Sequence, residues 1–304
     1  MDNQTKKWVN LILLALIWGS SFILIKKSLL GLNPIQLGGL RIFFTAITLI
    51  IFGFKTLKTI KKKDWPWVIL SGFMGSFFPA FLFAFAVSKI DSSIASILNS
   101  LVPLITIIIG FLVFHITIKK KQTIGVLIGL IGTTILILSG GKVNSDSNIM
   151  YNILVVIACI CYGINLNVIK SKLQHIKPLA IATGNFSIII IPTFIILVTS
   201  GVFSQETVSN PIFLESIGYV VLLSILGTAV AKILFNDLVQ ISSPVFSSSV
   251  TYLIPIVAVC WGISDGEQFN MNQIIGAFTI LVGVYLVNAK KKVFKKTKKE
   301  RLTD

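Results

Sequence analysis

Apolar residues fall along the chain in long blocks, at about 9–29, 35–54, 66–88, 92–114 and 122–139. A polar stretch follows, Gly140 to Asn148, and then blocks at about 150–170, 178–200, 214–237, 242–263 and 271–289. Each block is close to the roughly 20 residues that cross a hydrocarbon core of about 30 Å at 1.5 Å per residue. The pattern predicts an all-α integral membrane protein of ten transmembrane helices, five on each side of one linker.

The halves repeat one another. Trp18-Gly19 aligns with Tyr162-Gly163, Lys26 with Lys170 and Pro34 with Pro178, all at an offset of 144 residues. Further on, Ser96, Asn99, Ser100 and Pro103 align with Ser248, Thr251, Tyr252 and Pro255 at 152, and Gly125 and Gly132 with Gly276 and Gly283 at 151. Short insertions account for the drift. Because five is odd, a second five-helix unit enters the membrane upside down relative to the first, and inverted repeats place a binding site at their interface near the midplane. The expected division is 1–143 for the first repeat, 144–289 for the second and 290–304 for a basic cytoplasmic tail.

Composition agrees. Hydrophobic residues make up 54% of the 304 and charged residues only 12%, against about 25% charged in ordinary soluble domains; mean hydropathy is +0.90. The net charge of +16 invites a nucleic-acid reading, but the lysines sit in clusters between apolar blocks, where basic residues orient a membrane protein. With the N-terminus cytoplasmic, 21 basic residues fall in cytoplasmic segments and four (Lys26, Lys27, Lys89, Lys142) outside. Both termini are therefore expected in the cytoplasm of a multi-pass inner-membrane protein, with the linker external. Lys6 and Lys7 precede the apolar run Val9 to Ile25 as in a signal peptide, yet no A-x-A cleavage pattern follows, so the run reads as a retained first helix. Cys159, Cys161 and Cys260 all lie in apolar blocks and read as small buried hydrophobes.

Several polar residues fall inside the blocks. Ser96, Asn99, Ser100 and Pro103 stand at i, i+3, i+4 and i+7, a single helical face, and Ser248, Thr251, Tyr252 and Pro255 repeat it. Each proline removes a backbone hydrogen bond and frees a carbonyl, which a membrane tolerates where the backbone is buried in protein or lines a wet cavity; Pro103 and Pro255 are the candidate helix-breaking hinges. The competing account is interhelical hydrogen bonding by small polar side chains. Trp18 with Ser21, and Tyr162 with Asn165, form a second repeated pair, read either as cavity wall or as packing. Lys232 is the least expected residue, a lysine inside the eighth block. Such residues generally face a cavity or a partner, although its stem has the length to snorkel toward the nearby helix end; Arg41 has a similar escape at the opposite side. A cavity-facing ammonium attracts a carboxylate or phosphate. The glycines Gly125, Gly129, Gly132, Gly276 and Gly283 read as close helix packing.

Trp18-Gly19-Ser20-Ser21-Phe22 with Lys26, Arg41-Ile42-Phe43-Phe44-Thr45-Ala46, and the runs from Ser92 to Gly132 and from Ser242 to Gly283 resemble the EamA-type transporters of the drug/metabolite transporter superfamily. The likeness covers nearly the whole chain. The second repeat has the family's Gly-Glu after its fourth helix, at Gly266-Glu267, whereas the first has Phe114-His115-Ile116-Thr117. The resemblance implies a ten-helix carrier of small metabolites, often amino acids, usually moving them outward across the inner membrane. Combined with Lys232, it favours an amino acid or related organic anion.

Two other classes compete. Gly262-Ile263-Ser264-Asp265-Gly266 matches G-x-S-x-G, but a membrane helix precedes it and no histidine follows His175, so it lacks the strand and triad that motif needs. There is no H-E-x-x-H and no phosphate-binding G-x-x-x-x-G-K-[ST]. The sequence thus predicts no enzyme, no cofactor and no metal site, with a small-molecule solute and the lipid bilayer as partners and no nucleic acid. A non-transporting receptor or scaffold is the alternative, and solute flux separates it from a carrier. Oligomeric state is unknown from sequence.

Overall fold

The computed structural model describes residues 2–90, 92–115, 119–139, 147–266 and 271–288. Helix α1 is Asn3–Ser28 and α2 is Pro34–Gly53. Three consecutive pieces form α3: Trp65–Gly72, Phe73–Phe77 and Phe78–Val87. Likewise α4 comprises Ser92–Leu98, a tight turn Asn99–Leu101, and Val102–Leu112. Then come α5 (Lys120–Ser139), α6 (Ser147–Lys172) and α7 (Pro178–Thr199). The pieces of α8 are Phe213–Ser224, Ile225–Val230 and Ala231–Ile241; those of α9 are Pro244–Ser248 and Val250–Ser264; α10 is Met271–Asn288. No strand occurs among the described residues.

The local sequence sets several helix starts. Asn33 caps α2 in a reciprocal box with Gln36, with Pro34 in the first turn, where proline's missing N–H costs nothing. Ser243 and Pro244 start α9 in the same way, the Ser243 hydroxyl accepting from the Phe246 N–H, and Pro178 starts α7.

The core is apolar, but so is much of the exposed surface. Ile51, Phe52, Phe111, Leu112, Ile191, Phe194, Ile195 and Leu214 are exposed, while Asn165, Asn167, Asn185, Thr193, Ser224 and Asn236 are buried. An apolar exterior this extensive fits a lipid surround rather than water. Among the described residues, eight helices are long and apolar enough to cross a bilayer. They are α1 to α4 and α6 to α9. The fifth and tenth apolar blocks, α5 and α10, fall outside that set and pack against each other.

Packing is matched between the halves. Helix α1 lies against α9, and α6, its counterpart, lies against α4; α2 lies against α7; α3 touches α6 as α8 touches α1. Both α3 and α8 widen midway into an i→i+5 turn, Phe73–Phe77 and Ile225–Val230. These turns centre on Gly75 and Gly227, again 152 residues apart. Such wide turns inside α-helices occur often at functional sites.

Polar contacts define two rims. At one, Lys6 pairs with Asp237 at 2.8 Å, Lys170 donates to the carbonyls of Val239 and Gln240, Lys172 lies over the Trp67 ring, and His175 meets Asp64 at 3.0 Å. The starts of α1 and α3 therefore share a rim with the ends of α6 and α8. At the other, Lys26 and Lys27 both pair with Asp265 at the end of α9, and Gln36 at the start of α2 donates to the Ser200 carbonyl at the end of α7. Hydrogen bonds from Lys27 and Lys26 hold the Asp265 carboxyl below the usual carboxylate range.

The glycine reading for α5 and α10 applies most directly at Gly283. A Cβ there would lie 2.6 Å from the Gly129 amide nitrogen and 2.7 Å from the Gly125 carbonyl oxygen. Both are backbone atoms and give way only if the helices part. Gly283→Val is expected to cost about 1–3 kcal/mol, the usual range for overpacking, measured as a lowered unfolding midpoint of the purified protein in detergent. An unchanged midpoint would show that the α5–α10 contact does not need glycine.

Candidate solute cavity

The helix pieces converge on one central cavity with about 940 Å³ of atom-free space, its open mouth included. Its wall takes Trp18 and Ser21 from α1, Arg41 from α2, Gly75 and Ser76 from α3 and Asn99 from α4. From the second half come Tyr162 and Asn165 of α6, Thr228 and Lys232 of α8, and Ser248 and Thr251 of α9. Phe83 stacks on Tyr162 with ring centres 6.1 Å apart, and Phe235 meets Trp18 edge-on at 5.1 Å. All four rings line the cavity.

The wide turns supply the polar anchor points. Lys232 is 5% exposed, and its ammonium donates to the Gly75 carbonyl at 3.0 Å. Trp18 Nε1 donates to the Gly227 carbonyl, also at 3.0 Å. Each half thus uses a side chain to occupy a carbonyl in the other half's wide turn. Glycine is needed at Gly75 because a Cβ would lie 2.5 Å from both Asn165 Nδ2 and Lys232 Nζ. Arg41 is partly buried, and its Nε donates to the Thr228 hydroxyl at 2.9 Å. Ser71 donates to Asn165 Oδ1 at 2.7 Å, fixing that amide against α3.

Eight of the eleven side chains singled out in sequence lie on this wall: Trp18, Ser21, Asn99, Tyr162, Asn165, Lys232, Ser248 and Thr251. Ser96, Ser100 and Tyr252 do not. The Ser96 hydroxyl donates to the Ser93 carbonyl within α4. Tyr252 is fully buried, with its ring over Gly129 and its hydroxyl 3.4 Å from the Val126 carbonyl. Ser100 donates to the Thr251 carbonyl at 3.0 Å, the carbonyl left without its helical donor by Pro255. Pro103 frees the Asn99 carbonyl, which accepts instead from the Val102 N–H in the tight turn. Both prolines therefore free carbonyls that the protein itself satisfies, neither proline lines the cavity, and Ser100 acts as interhelical glue. The expected single face is split because α4 tightens at Asn99–Leu101 and α9 breaks at Ser249.

Sequence reasoning missed Arg41, Ser76, Thr228 and the two glycines as wall residues. Met74-Gly75-Ser76 and Leu226-Gly227-Thr228 share the 152-residue offset already visible between Ser96 and Ser248, so the signal was available. Gly266 falls at the end of the described segment, and Glu267, the linker 140–146 and the tail from 289 lie outside the described residues.

Comparison with known proteins agrees with this architecture. The model of the EamA-like transporter family matches twice, over residues 6–138 and 149–289. An uncharacterised transporter of Archaeoglobus fulgidus is 27% identical over 94% of this chain and 100% of its own length. A probable amino-acid metabolite efflux pump of Salmonella typhimurium is 22% identical over 90% of this chain and 92% of its own. An S-adenosylmethionine/S-adenosylhomocysteine transporter of Chlamydia muridarum is 24% identical over 90% and 88%. A solved crystal structure superposes with a TM-score of 0.69 at 14% identity, covering 93% of this chain and 96% of that one, which speaks to the fold alone. With a duplicated family match spanning most of its length, this multi-pass membrane transporter belongs to the EamA-like transporter family.

Proposed function

We propose that the protein is a secondary carrier that exports a small metabolite, an amino acid or related organic anion, by alternating access. The observation that bears most weight is the central cavity, walled by both halves and holding a buried lysine and an arginine. A cavity at the interface of two repeats is the site type of inverted-repeat carriers. In this reading ten helices cross the membrane as two inverted five-helix repeats, 1–143 and 144–289, with 290–304 as a cytoplasmic basic tail. The rim contacts support the inversion, since α1 and α3 start where α6 and α8 end. The excess of basic residues in the segments at that rim supports both termini being cytoplasmic and the linker external. The substrate-binding residues are Trp18, Ser21, Arg41, Asn99, Tyr162, Asn165, Lys232, Ser248 and Thr251. The efflux and metabolite-transporter names of the relatives support the outward direction.

Flux of labelled solutes into proteoliposomes tests transport, and single-cysteine labelling in intact cells tests orientation. A cysteine at Thr303 is expected to stay unlabelled by an impermeant reagent, and one at Ser145 to react. External labelling at Thr303 would reverse the orientation, and protection at Ser145 would end the five-plus-five arrangement. Absence of flux for every solute tried, with the protein folded, would favour the receptor or scaffold alternative.

A further inference from the structure

The cavity is lined by two cationic side chains and by no carboxylate among the described residues. Lys232 uses one of its three N–H groups on Gly75, and Arg41 one of its five on Thr228. Ser76, on the wall between them in chain order, is 7% exposed, and its hydroxyl has no partner among the described residues. The two carbonyls that the wide turns present are already taken, Gly75 by Lys232 and Gly227 by Trp18. Among the described residues no carboxylate lies within ion-pair distance of Arg41 or Lys232; the ion pairs present all sit at the rims. A buried cation left without an opposite charge is costly, and a cargo that carries the counter-charge relieves that cost.

Two cations call for two negative charges. Thr228 and Lys232 stand four residues apart on α8, and Thr228 anchors Arg41. Arg41, held on Thr228, and Lys232, held on Gly75, thus both line the same cavity. We infer that the solute is an organic dianion, a small molecule with two acidic groups, one held by the Arg41 guanidinium and the other by the Lys232 ammonium. This assignment rests on the cavity being the solute site proposed above. A zwitterionic amino acid fits less well, because its ammonium finds no carboxylate here and would face two like charges. An uncharged solute would leave both cations uncompensated. The Ser76 hydroxyl adds a further donor to an acidic oxygen.

The test is equilibrium binding to the full-length protein in nanodiscs by calorimetry. The probes are succinate (two carboxylates), phosphoenolpyruvate (phosphate and carboxylate), lactate (one carboxylate) and leucine (zwitterion). At least one of the first two is expected to bind ten-fold or more tightly than lactate and leucine, and which of them does so tells a carboxylate from a phosphoryl second group. Arg41→Gln is expected to weaken that dianion by about ten- to a hundred-fold, the worth of a charge-assisted contact, while changing lactate by less than about three-fold. Arg41→Lys keeps the charge and is expected to retain the dianion preference, which also controls for folding. Leucine or lactate binding as tightly as both dianions overturns the inference, as does binding of none of the four. Equal weakening of dianion and lactate by Arg41→Gln also overturns it, since a structural role would do that. The two readings fail separately. A bound dianion without flux ends the transport reading and keeps this one; leucine flux that neither dianion inhibits keeps transport and ends this one.

Discussion

Lys232→Met is expected to abolish solute flux in proteoliposomes while leaving the protein inserted and folded. The substitution removes a charge from the middle of the helix bundle, where a lysine costs on the order of 3 kcal/mol on insertion scales. It keeps a flexible, unbranched side chain of similar length. Folding therefore loses little, because replacing an uncompensated buried charge with a packed apolar group is neutral or favourable. Binding of an anionic solute loses its ammonium contact, and a charge-assisted hydrogen bond is worth about 1.5–3 kcal/mol, or ten- to more than a hundred-fold in affinity. Lys232→Gln is expected to fall nearly as far, since an amide restores a donor but no charge, and Lys232→Arg to retain more. A snorkelling lysine would behave otherwise. Its ammonium would sit at the rim, and Met would leave transport untouched. The observed contact with the Gly75 carbonyl holds the ammonium at the wide turn of α3 instead. Measured flux of an anionic solute by Lys232→Met at the unsubstituted rate, at equal protein level, would refute the role assigned to it.

How much was legible in sequence follows from what periodicity can and cannot encode. The apolar blocks mark the helices closely because a bilayer demands unbroken apolar runs: the block at 35–54 became Pro34–Gly53, and that at 178–200 became Pro178–Thr199. Lys232 was legible for the same reason, as a charge where the solvent forbids one. Arg41 is visible too, but its nearness to a helix end suggests an escape to the rim. That nearness misleads. Asn33 caps α2 and Pro34 begins it, so Arg41 lies seven residues, about 10 Å, along the helix, and its guanidinium turns inward to Thr228 rather than out to the rim. Helical spacing failed at Ser96, Ser100 and Tyr252 because a 3.6-residue period assumes an unbroken helix, and α4 tightens at Asn99–Leu101 while α9 breaks at Ser249. The prolines that prompted the cavity reading explain it. Each disturbs the backbone one turn before itself, where Ser100 and the tight turn consume the freed carbonyls. The wide turns at Gly75 and Gly227 have no periodicity of their own; only the repeat offset betrays them.

Those turns carry the second large expectation, which concerns glycine. Gly75→Ala places a methyl 2.5 Å from Asn165 Nδ2 and Lys232 Nζ, too close for either to stay. Both are ends of side chains, so they move and the backbone does not. The substitution also gains helix propensity, up to about 1 kcal/mol for glycine to alanine in a helix interior. The protein is therefore expected to stay folded, with an unfolding midpoint close to the original, while flux drops by an order of magnitude or more as Lys232 is driven off the Gly75 carbonyl. Gly75→Leu is expected to go further by filling the cavity itself. Gly227 occupies the matching turn, but a Cβ there meets the Ser21 hydroxyl at 2.7 Å and a Leu223 methyl at 3.0 Å, neither of them a cation, so Gly227→Ala is expected to lose less. Gly218, earlier in α8, has open space where a methyl would stand, with nothing within 4 Å, and Gly218→Ala gains the same propensity with flux unchanged. The ordering, Gly218→Ala above Gly227→Ala above Gly75→Ala, separates a cavity effect from a general effect of alanine on helix stiffness. Equal flux from all three would mean that the wide turn of α3 does not position Lys232 for the solute.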